Sequence, residues 1–425
     1  MSQANSLGIA KVVRTRTTYL VVSALSLLVL GLVYAWSIFA VPLSEAFGWD
    51  RSLLSYVFSI SMTAFCVGAL AGSLIEKKTS IAVAMIIAAV LQISGFVLTS
   101  LMAEQGIWTL YLFYGVFAGF GCGIGYNTII ATVNLWFPDR VGIASGVMMM
   151  GFGLGSLILG TVANAAIDVF GWSLTFISIG VVSACFLVAM AFIIKRPPSN
   201  IEELVGRKTS KKASHIIVET RAMVKTPLFW VYSIWMFIVF GAVMTLVGDS
   251  KQGALLLGVD TEMATLLVGF VSMMNGTARV VLGYIYDKTS LRVPMLFTMF
   301  SCLIGIGLIA LAFVFEIPAL YYGAALLVGF AAGGIPILAS SFSRERFGAT
   351  DYPRNLATVN LNVAPAALLS SFVVGIARPF GGDVAIYLVL FVLLIVAFFD
   401  LLFFFKLYYR KSNIDEEAHS ASTVS

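Results

Sequence analysis

Gly283-Tyr-Ile-Tyr-Asp287-Lys288-Thr289-Ser290 closes one hydrophobic stretch of the chain, and Gly72-Ser-Leu-Ile-Glu76-Lys77-Lys78-Thr79-Ser80 closes another at an offset of 211. A second pair of segments, Gly119-Phe-Gly-Cys-Gly123 and Gly329-Phe-Ala-Ala-Gly333, stands at an offset of 210. Two matches at nearly one offset are more than chance would give, and the two halves of the 425 residues look like repeats. Self-similarity of this kind constrains a fold before any single residue does.

Around these segments the residues are 60% hydrophobic and 11% charged, with a mean hydropathy of +0.99. Such a balance excludes a soluble globular protein. Apolar runs of about 20 residues read as membrane spans. Twelve are predicted, at 18–42, 53–75, 79–101, 108–136, 141–165, 171–194, 227–248, 263–286, 293–315, 319–342, 355–377 and 384–405. The first follows Lys11, Arg14 and Arg16 without a small-residue cleavage site, so it is read as a retained span. With both termini in the cytoplasm, 22 of the 26 Lys and Arg fall on the inner side, Arg51, Lys251 and Arg378 on the outer side, and Arg279 inside a span. That asymmetry satisfies the positive-inside rule. The net charge of +5 is therefore a topology signal, not a sign of nucleic-acid binding.

The expected fold is an all-α membrane protein, twelve transmembrane helices in two six-helix pseudo-symmetric bundles. Residues 1–194 form the first bundle and 227–410 the second. Residues 195–226, with Lys195, Arg196 and the run Arg207, Lys208, Lys211, Lys212, are a basic cytoplasmic linker, and 411–425 a disordered cytoplasmic tail. Parallel six-span repeats place substrate near the midplane between the halves. Cys66, Cys122, Cys185 and Cys302 lie within spans at no metal-ligand spacing, so no metal, cofactor or disulfide framework is expected. His215 and His419 fall outside the spans, which excludes an intramembrane histidine relay. The implied surroundings are a lipid bilayer, and a monomer is expected.

Arg279 is the only Lys or Arg inside a span. Inserting a guanidinium costs roughly 2.5 to 3.5 kcal/mol, so the residue requires a task or a partner. Ser272, Asn275 and Arg279 share one helix face. The eight residues from Arg279 to Asp287 put the guanidinium about 12 Å from the cytoplasmic end. A guanidinium grips a carboxylate through two parallel charge-assisted hydrogen bonds, whereas a purely structural arginine would cap carbonyls of a neighbouring helix.

The loops after spans 2 and 8 resemble the major facilitator signature Gly-x-x-x-Asp-Arg/Lys-x-Gly-Arg/Lys, with Glu76 for Asp in the first copy and Ser290 for Gly in the second. Four further segments resemble the oxalate:formate antiporter and monocarboxylate porter branch of that superfamily. These are Tyr34-Ala-Trp36-Ser-Ile-Phe-Ala-Val-Pro42, Asn134-Leu-Trp136-Phe-Pro138-Asp139-Arg140-x-Gly142-x-Ala-Ser-Gly146, Asn275-Gly-x-x-Arg279-x-x-x-Gly283 and Arg354-Asn355. The resemblance implies that Arg279 binds the substrate carboxylate, and that Tyr34, Trp36 and Tyr126 line the cavity. Asn127, Phe152, Asn355 and Asn362, with Asn275, are candidates to complete it. It also implies that Asp287, Lys288 and Arg292, with Glu76 and Lys77 in the first copy, hold a cytoplasmic gate.

Departures from the branch pattern narrow the expectation. A lysine that holds a second carboxylate in the antiporter aligns with Val363, beside Asn362. One fixed cation neutralises one carboxylate and would leave a second buried unpaired, so monocarboxylates are favoured. The proton-carrying aspartate of proton-coupled porters is Asn275 here, which does not titrate, and a lysine of their first span is missing. Two aromatic pocket positions become Ala332 and Pro336, which enlarges the site. Gly146, Gly151, Gly153, Gly155 and Gly160 in span 5 are read as a helix-packing stripe, and Asp400 as an interfacial residue paired with Lys406 or a backbone donor. The expected function is secondary transport of small organic carboxylates by alternating access, with exchange or uniport favoured over proton symport and no enzymatic activity. The rival is an exporter of a hydrophobic or drug-like compound.

Overall fold

The computed structural model describes the backbone of residues 3–49, 51–198, 200–205, 218–349 and 351–423; the side chains of 3–11, 34, 37, 41, 51, 52, 55, 202, 203, 261, 265, 371 and 410–423 lie outside the description. The basic run Arg207–Lys212 falls outside the described residues, as do the side chains of the predicted disordered tail. Every regular element among the described residues is helical.

Span 1 is α1 (Gln3–Leu30), a 3-10 segment (Gly31–Ala35) and α2 (Trp36–Phe47). Then come α3 (Arg51–Lys78), α4 (Ile81–Met102), a π-helical segment (Leu110–Ala118) continued by α5 (Gly119–Trp136), and α6 (Val141–Ile193). Short α7 (Ile201–Leu204) and α8 (Thr220–Met223) lead to α9 (Pro227–Leu256), α10 (Thr261–Lys288), α11 (Arg292–Phe315) and α12 (Pro318–Phe347). Span 11 is α13 (Tyr352–Asn360) and the start of α14 (Val363–Thr423).

Among the described residues, ten helical stretches are long and apolar enough to cross a membrane. Two of them, Val141–Ile193 and Tyr352–Tyr409, each contain two of the predicted spans, so all twelve are present. In α6 the chain turns at Gly171, whose φ of 78° lies in the left-handed region that L side chains avoid. In α14 it turns at Gly381 and Gly382. The outward faces carry exposed Phe170, Phe192, Phe315, Leu368 and Phe380, an apolar surface suited to lipid.

Helix boundaries follow local chemistry. The Ser80 hydroxyl accepts from Val83 N (3.2 Å) at the start of α4, and Thr226 Oγ1 accepts from Phe229 N (3.3 Å) ahead of Pro227 in α9. Span 11 breaks between Asn360 and Val363 because Pro365 lacks an N–H and its ring opposes the carbonyl four residues earlier, at Leu361. Asn362 then turns its amide onto the Val359 carbonyl (2.9 Å).

The chain gathers into two compact units. The first holds 1–217 with Asn275–Ser290 and Pro336–Ala364; the second holds 218–274, Leu291–Ile335 and 365–425. One core of the first unit is aromatic, with Trp36, Phe39, Phe96, Tyr114 and Phe176 buried together with Leu54 and Val57. In the second unit Tyr232, Trp235, Tyr321, Tyr387 and Phe404 are buried. There the Arg378 guanidinium bridges Asp249 (2.9 Å) and Asp383 (3.0 Å), tying α9 to both sides of the turn in α14. The expected Asp400–Lys406 ion pair is absent among the described residues, and Asp400 Oδ2 is buried without a hydrogen-bond partner.

Candidate functional site

Within the first unit, the C-terminal half of α10 lies along the start of α6 with almost no side chain between them. A Cβ built at Gly142 would stand 2.2 Å from the Gly283 carbonyl oxygen, and one at Gly283 equally close to Gly142 O. One turn further, a Cβ at Gly146 would fall 2.5 Å from the Arg279 carbonyl oxygen. The crossing is backbone on backbone, so only glycine fits at 142 and 283.

That close approach delivers two charged groups of α10 to α6. At its end, Asp287 Oδ1 accepts from Gly142 N and Oδ2 from Ile143 N, both at 2.8 Å. Arg140, the residue before α6, offers no side-chain cap, so a carboxylate from another helix satisfies the first N–H groups and meets the positive end of the helix dipole. Deeper in, Arg279 is only 6% exposed. Its Nε donates to Asn275 Oδ1 (3.0 Å), one turn back on α10, and its Nη1 donates to the Met149 carbonyl of α6. Both of these acceptors are neutral groups.

The remaining expected cavity residues divide. Tyr126 and Phe152 are buried, their rings tilted at 56° with centroids 4.7 Å apart, and Phe65 lies 5.2 Å from Tyr126 and 5.9 Å from Phe152. Asn127 Nδ2 donates to the Pro353 carbonyl (3.0 Å), while its Oδ1 is buried with no partner. Asn355 is fully buried, and Asn362 sits at the break in span 11. Trp36 lies in the aromatic core, its indole N–H donating to Leu54 O (2.8 Å) and its ring 4.7 Å from Tyr114. Tyr34 stands in the 3-10 segment, and its side chain lies outside the description.

The expected gate residues also divide. Lys77 Nζ pairs with Asp351 (2.7 Å), just ahead of α13, and Glu76 pairs with Arg196 (2.9 Å), beyond α6. Lys288 rests over the Tyr284 ring (5.8 Å) and, in the second unit, Arg292 over Phe405 (5.4 Å). Sequence reasoning missed three contributors: Phe65, the Met149 carbonyl and a buried polar node. In the node Asn134 Nδ2, with two N–H donors, lies within hydrogen-bond distance of Ser145 Oγ (2.7 Å), Tyr352 Oη (2.9 Å) and Ser340 Oγ (3.2 Å), joining α5, α6, α12 and α13. Asn134 and Ser145 stand in the quoted span 4 to 5 motif, whose buried asparagine could have pointed to such a node. A helix-interior carbonyl gives no such signal.

The family model described as the Major Facilitator Superfamily matches residues 21–371. The oxalate:formate antiporter of Oxalobacter formigenes is 26% identical over 351 residues, covering 80% of this chain and 79% of that protein. Monocarboxylate transporter 12 of Mus musculus is 26% identical, covering 60% of this chain and 57% of its own length. Among solved structures, the proton:xylose symporter XylE bound to 6-bromo-6-deoxy-D-glucose aligns with a TM-score of 0.73 at 16% identity, covering 92% of this chain and 96% of that one. The transporter FucP in its outward conformation aligns with a TM-score of 0.68 at 14% identity, covering 92% and 99%. At such identities these structures speak to the fold alone.

Proposed function

Since this chain belongs to the Major Facilitator Superfamily and is a multi-pass membrane transporter, we propose that its cargo is a small organic monocarboxylate and that Arg279 binds the carboxylate group. The observation that carries this reading is the buried guanidinium, held in place on α10 by neutral acceptors at Asn275 and Met149. Geometry of this kind prepares a fork for an anion at little reorganisation cost. The similarity to the oxalate:formate antiporter supports an organic anion. Val363, where a second cation would stand, favours one carboxylate over two.

Tyr126, Phe152 and Phe65 supply an apolar wall for the organic part of the substrate, and Asn127, Asn355 and Asn362 supply amides. Asn275 donates no titrating proton, so exchange or uniport is favoured over proton symport. The cycle is alternating access, with the protein a monomer in a bacterial inner membrane and both termini in the cytoplasm. Opening toward the cytoplasm releases Asp287 from the start of α6, Lys77 from Asp351, and the Asn134 node.

The test is counterflow of labelled monocarboxylates and dicarboxylates into liposomes that contain purified protein. Arg279→Ala and Arg279→Lys are both expected to lose exchange, because an ammonium cannot keep the Asn275 and Met149 contacts and also present a planar fork. Near-normal exchange by Arg279→Ala refutes the assignment, and preference for dicarboxylates refutes the argument from Val363.

A further inference from the structure

Met149 and Gly153 stand one turn apart on α6, so in regular helix geometry the Met149 carbonyl that receives Arg279 is the one the Gly153 N–H also meets. A Cβ built at Gly153 would lie 3.1 Å from Arg279 Nη1, 3.2 Å from Cζ and 3.4 Å from Nη2. An atom approaching along the plane of the guanidinium would be farther from Cζ than from both nitrogens. Cζ is instead within 0.1 Å of the Nη1 distance and nearer than Nη2, so Gly153 faces the flat side of the group.

We propose that Gly153 is a positioning residue for substrate binding: its bare Cα lets the guanidinium of Arg279 lie flat against α6, which fixes the plane in which the carboxylate is received. The inference rests on the carboxylate-carrier reading above and adds a determinant of affinity to that site. Three constraints then set the fork. Asn275 Oδ1 and the Met149 carbonyl hold it in plane, and α6 at Gly153 closes one face.

Carbon atoms pack best at about 3.5 to 4.0 Å, so a methyl at 153 displaces the guanidinium by a few tenths of an ångström. The displacement runs perpendicular to the plane, the direction in which the two in-plane hydrogen bonds resist least by stretching and most by tilting. The donors are re-aimed while the charge is retained. The remaining glycines of the stripe serve other ends: a Cβ at Gly155 would meet Leu28 O at 2.3 Å, and one at Gly160 would meet only the Ile38 Cδ1 tip, at 2.8 Å, and Ala35 Cβ.

The experiment compares wild type, Gly153→Ala and Gly160→Ala for saturation of monocarboxylate exchange in proteoliposomes, with formate and lactate as probes. Gly153→Ala is expected to raise KM by about three- to tenfold, given that a misplacement of about 1 Å costs roughly 100-fold, while the maximal exchange rate stays near wild type. Gly160→Ala is expected to leave KM unchanged. A double-mutant cycle with Asn275→Ala is expected to be non-additive, because both substitutions act on the same guanidinium. Unchanged KM in Gly153→Ala overturns the proposal, as does a fall in maximal rate alone or additivity in the cycle. Aggregation of Gly153→Ala on gel filtration, with Gly160→Ala monodisperse, overturns it too, because the contact is then architectural. If wild type exchanges no carboxylate, the carrier reading itself fails and this inference falls with it.

Discussion

Removing the Asp287 carboxylate should open the end of the transporter where α10 meets α6. Each oxygen takes one backbone N–H at 2.8 Å, and a hydrogen bond to a charged group contributes about 1.5 to 3 kcal/mol. Charge at a helix start adds about 0.3 to 1 kcal/mol. Asp287→Asn keeps one acceptor, loses the charge and turns an amide N–H toward a backbone N–H. Because Asp287 is only partly buried, water recovers part of the loss. The closed state should be weakened by about 1 to 2 kcal/mol, which raises the open population about 5- to 30-fold. Asp287→Ala should do at least as much.

A cysteine at position 131 reads this out. Ala131 is fully buried and lies on the face of α5 that also carries Asn127 and Asn134, which meet α13. In an Ala131→Cys, Cys185→Ser background the other three cysteines are buried, and maleimide labelling in detergent follows opening at this end. The rate should rise by that factor when Asp287 is replaced. An unchanged rate in Asp287→Ala refutes the claim that this contact holds the end shut.

Two further substitutions test the geometry around Arg279. Gly283→Ala places a Cβ 2.2 Å from the Gly142 carbonyl oxygen, so α6 and α10 must separate; thermal stability in detergent should fall by several degrees and exchange should be lost, whereas Gly276→Ala, with nothing nearer than 3.6 Å, should be tolerated. Asn275→Asp places a carboxylate 3.0 Å from Arg279 Nε, where Coulomb attraction is about 5 kcal/mol at an effective dielectric of about 20. Desolvation offsets much of that, yet the internal carboxylate still competes with the substrate. KM for exchange should rise at least about tenfold at neutral pH and fall again on acidification, because protonating the new carboxyl frees the guanidinium. A pH-independent KM in this variant counts against direct competition.

The spans were legible because a bilayer imposes a length and a composition on every helix that crosses it, and the twelve predicted stretches fall within the helices observed. The internal repeat and the lone guanidinium were legible for the same reason, since departures from apolar monotony stand out. What escaped depends on backbone approach. The 3-10 segment Gly31–Ala35 forms where a Cβ at Gly31 would be 2.0 Å from the Phe152 carbonyl oxygen, and nothing in the local letters announces that contact. Trp36 has the residue type of a cavity wall, but its N–H goes to Leu54 and its ring to Tyr114, a choice set by tertiary packing. The stripe of glycines in span 5 was readable as a packing face. That one of them abuts a guanidinium was not, because the partner lies 126 positions away, at 279 against 153.

The neutral acceptors around Arg279 also bear on whether the carrier returns empty. A fully desolvated cation costs several kcal/mol, and hydrogen bonds to a charged group return about 1.5 to 3 kcal/mol each. With Asn275 and Met149 in place, the unloaded site is therefore strained but not forbidden. On the proposed reading a bound monocarboxylate would neutralise that charge, so the loaded carrier would reorient faster than the empty one and exchange would outrun net flux. A dicarboxylate reverses the sign of the problem, since its second carboxylate would be buried near Val363 with no fixed cation to meet it. On the proposed reading one guanidinium would set both preferences, for singly charged cargo and for exchange, and weakening the Asn275 contact should slow empty return more than it slows exchange.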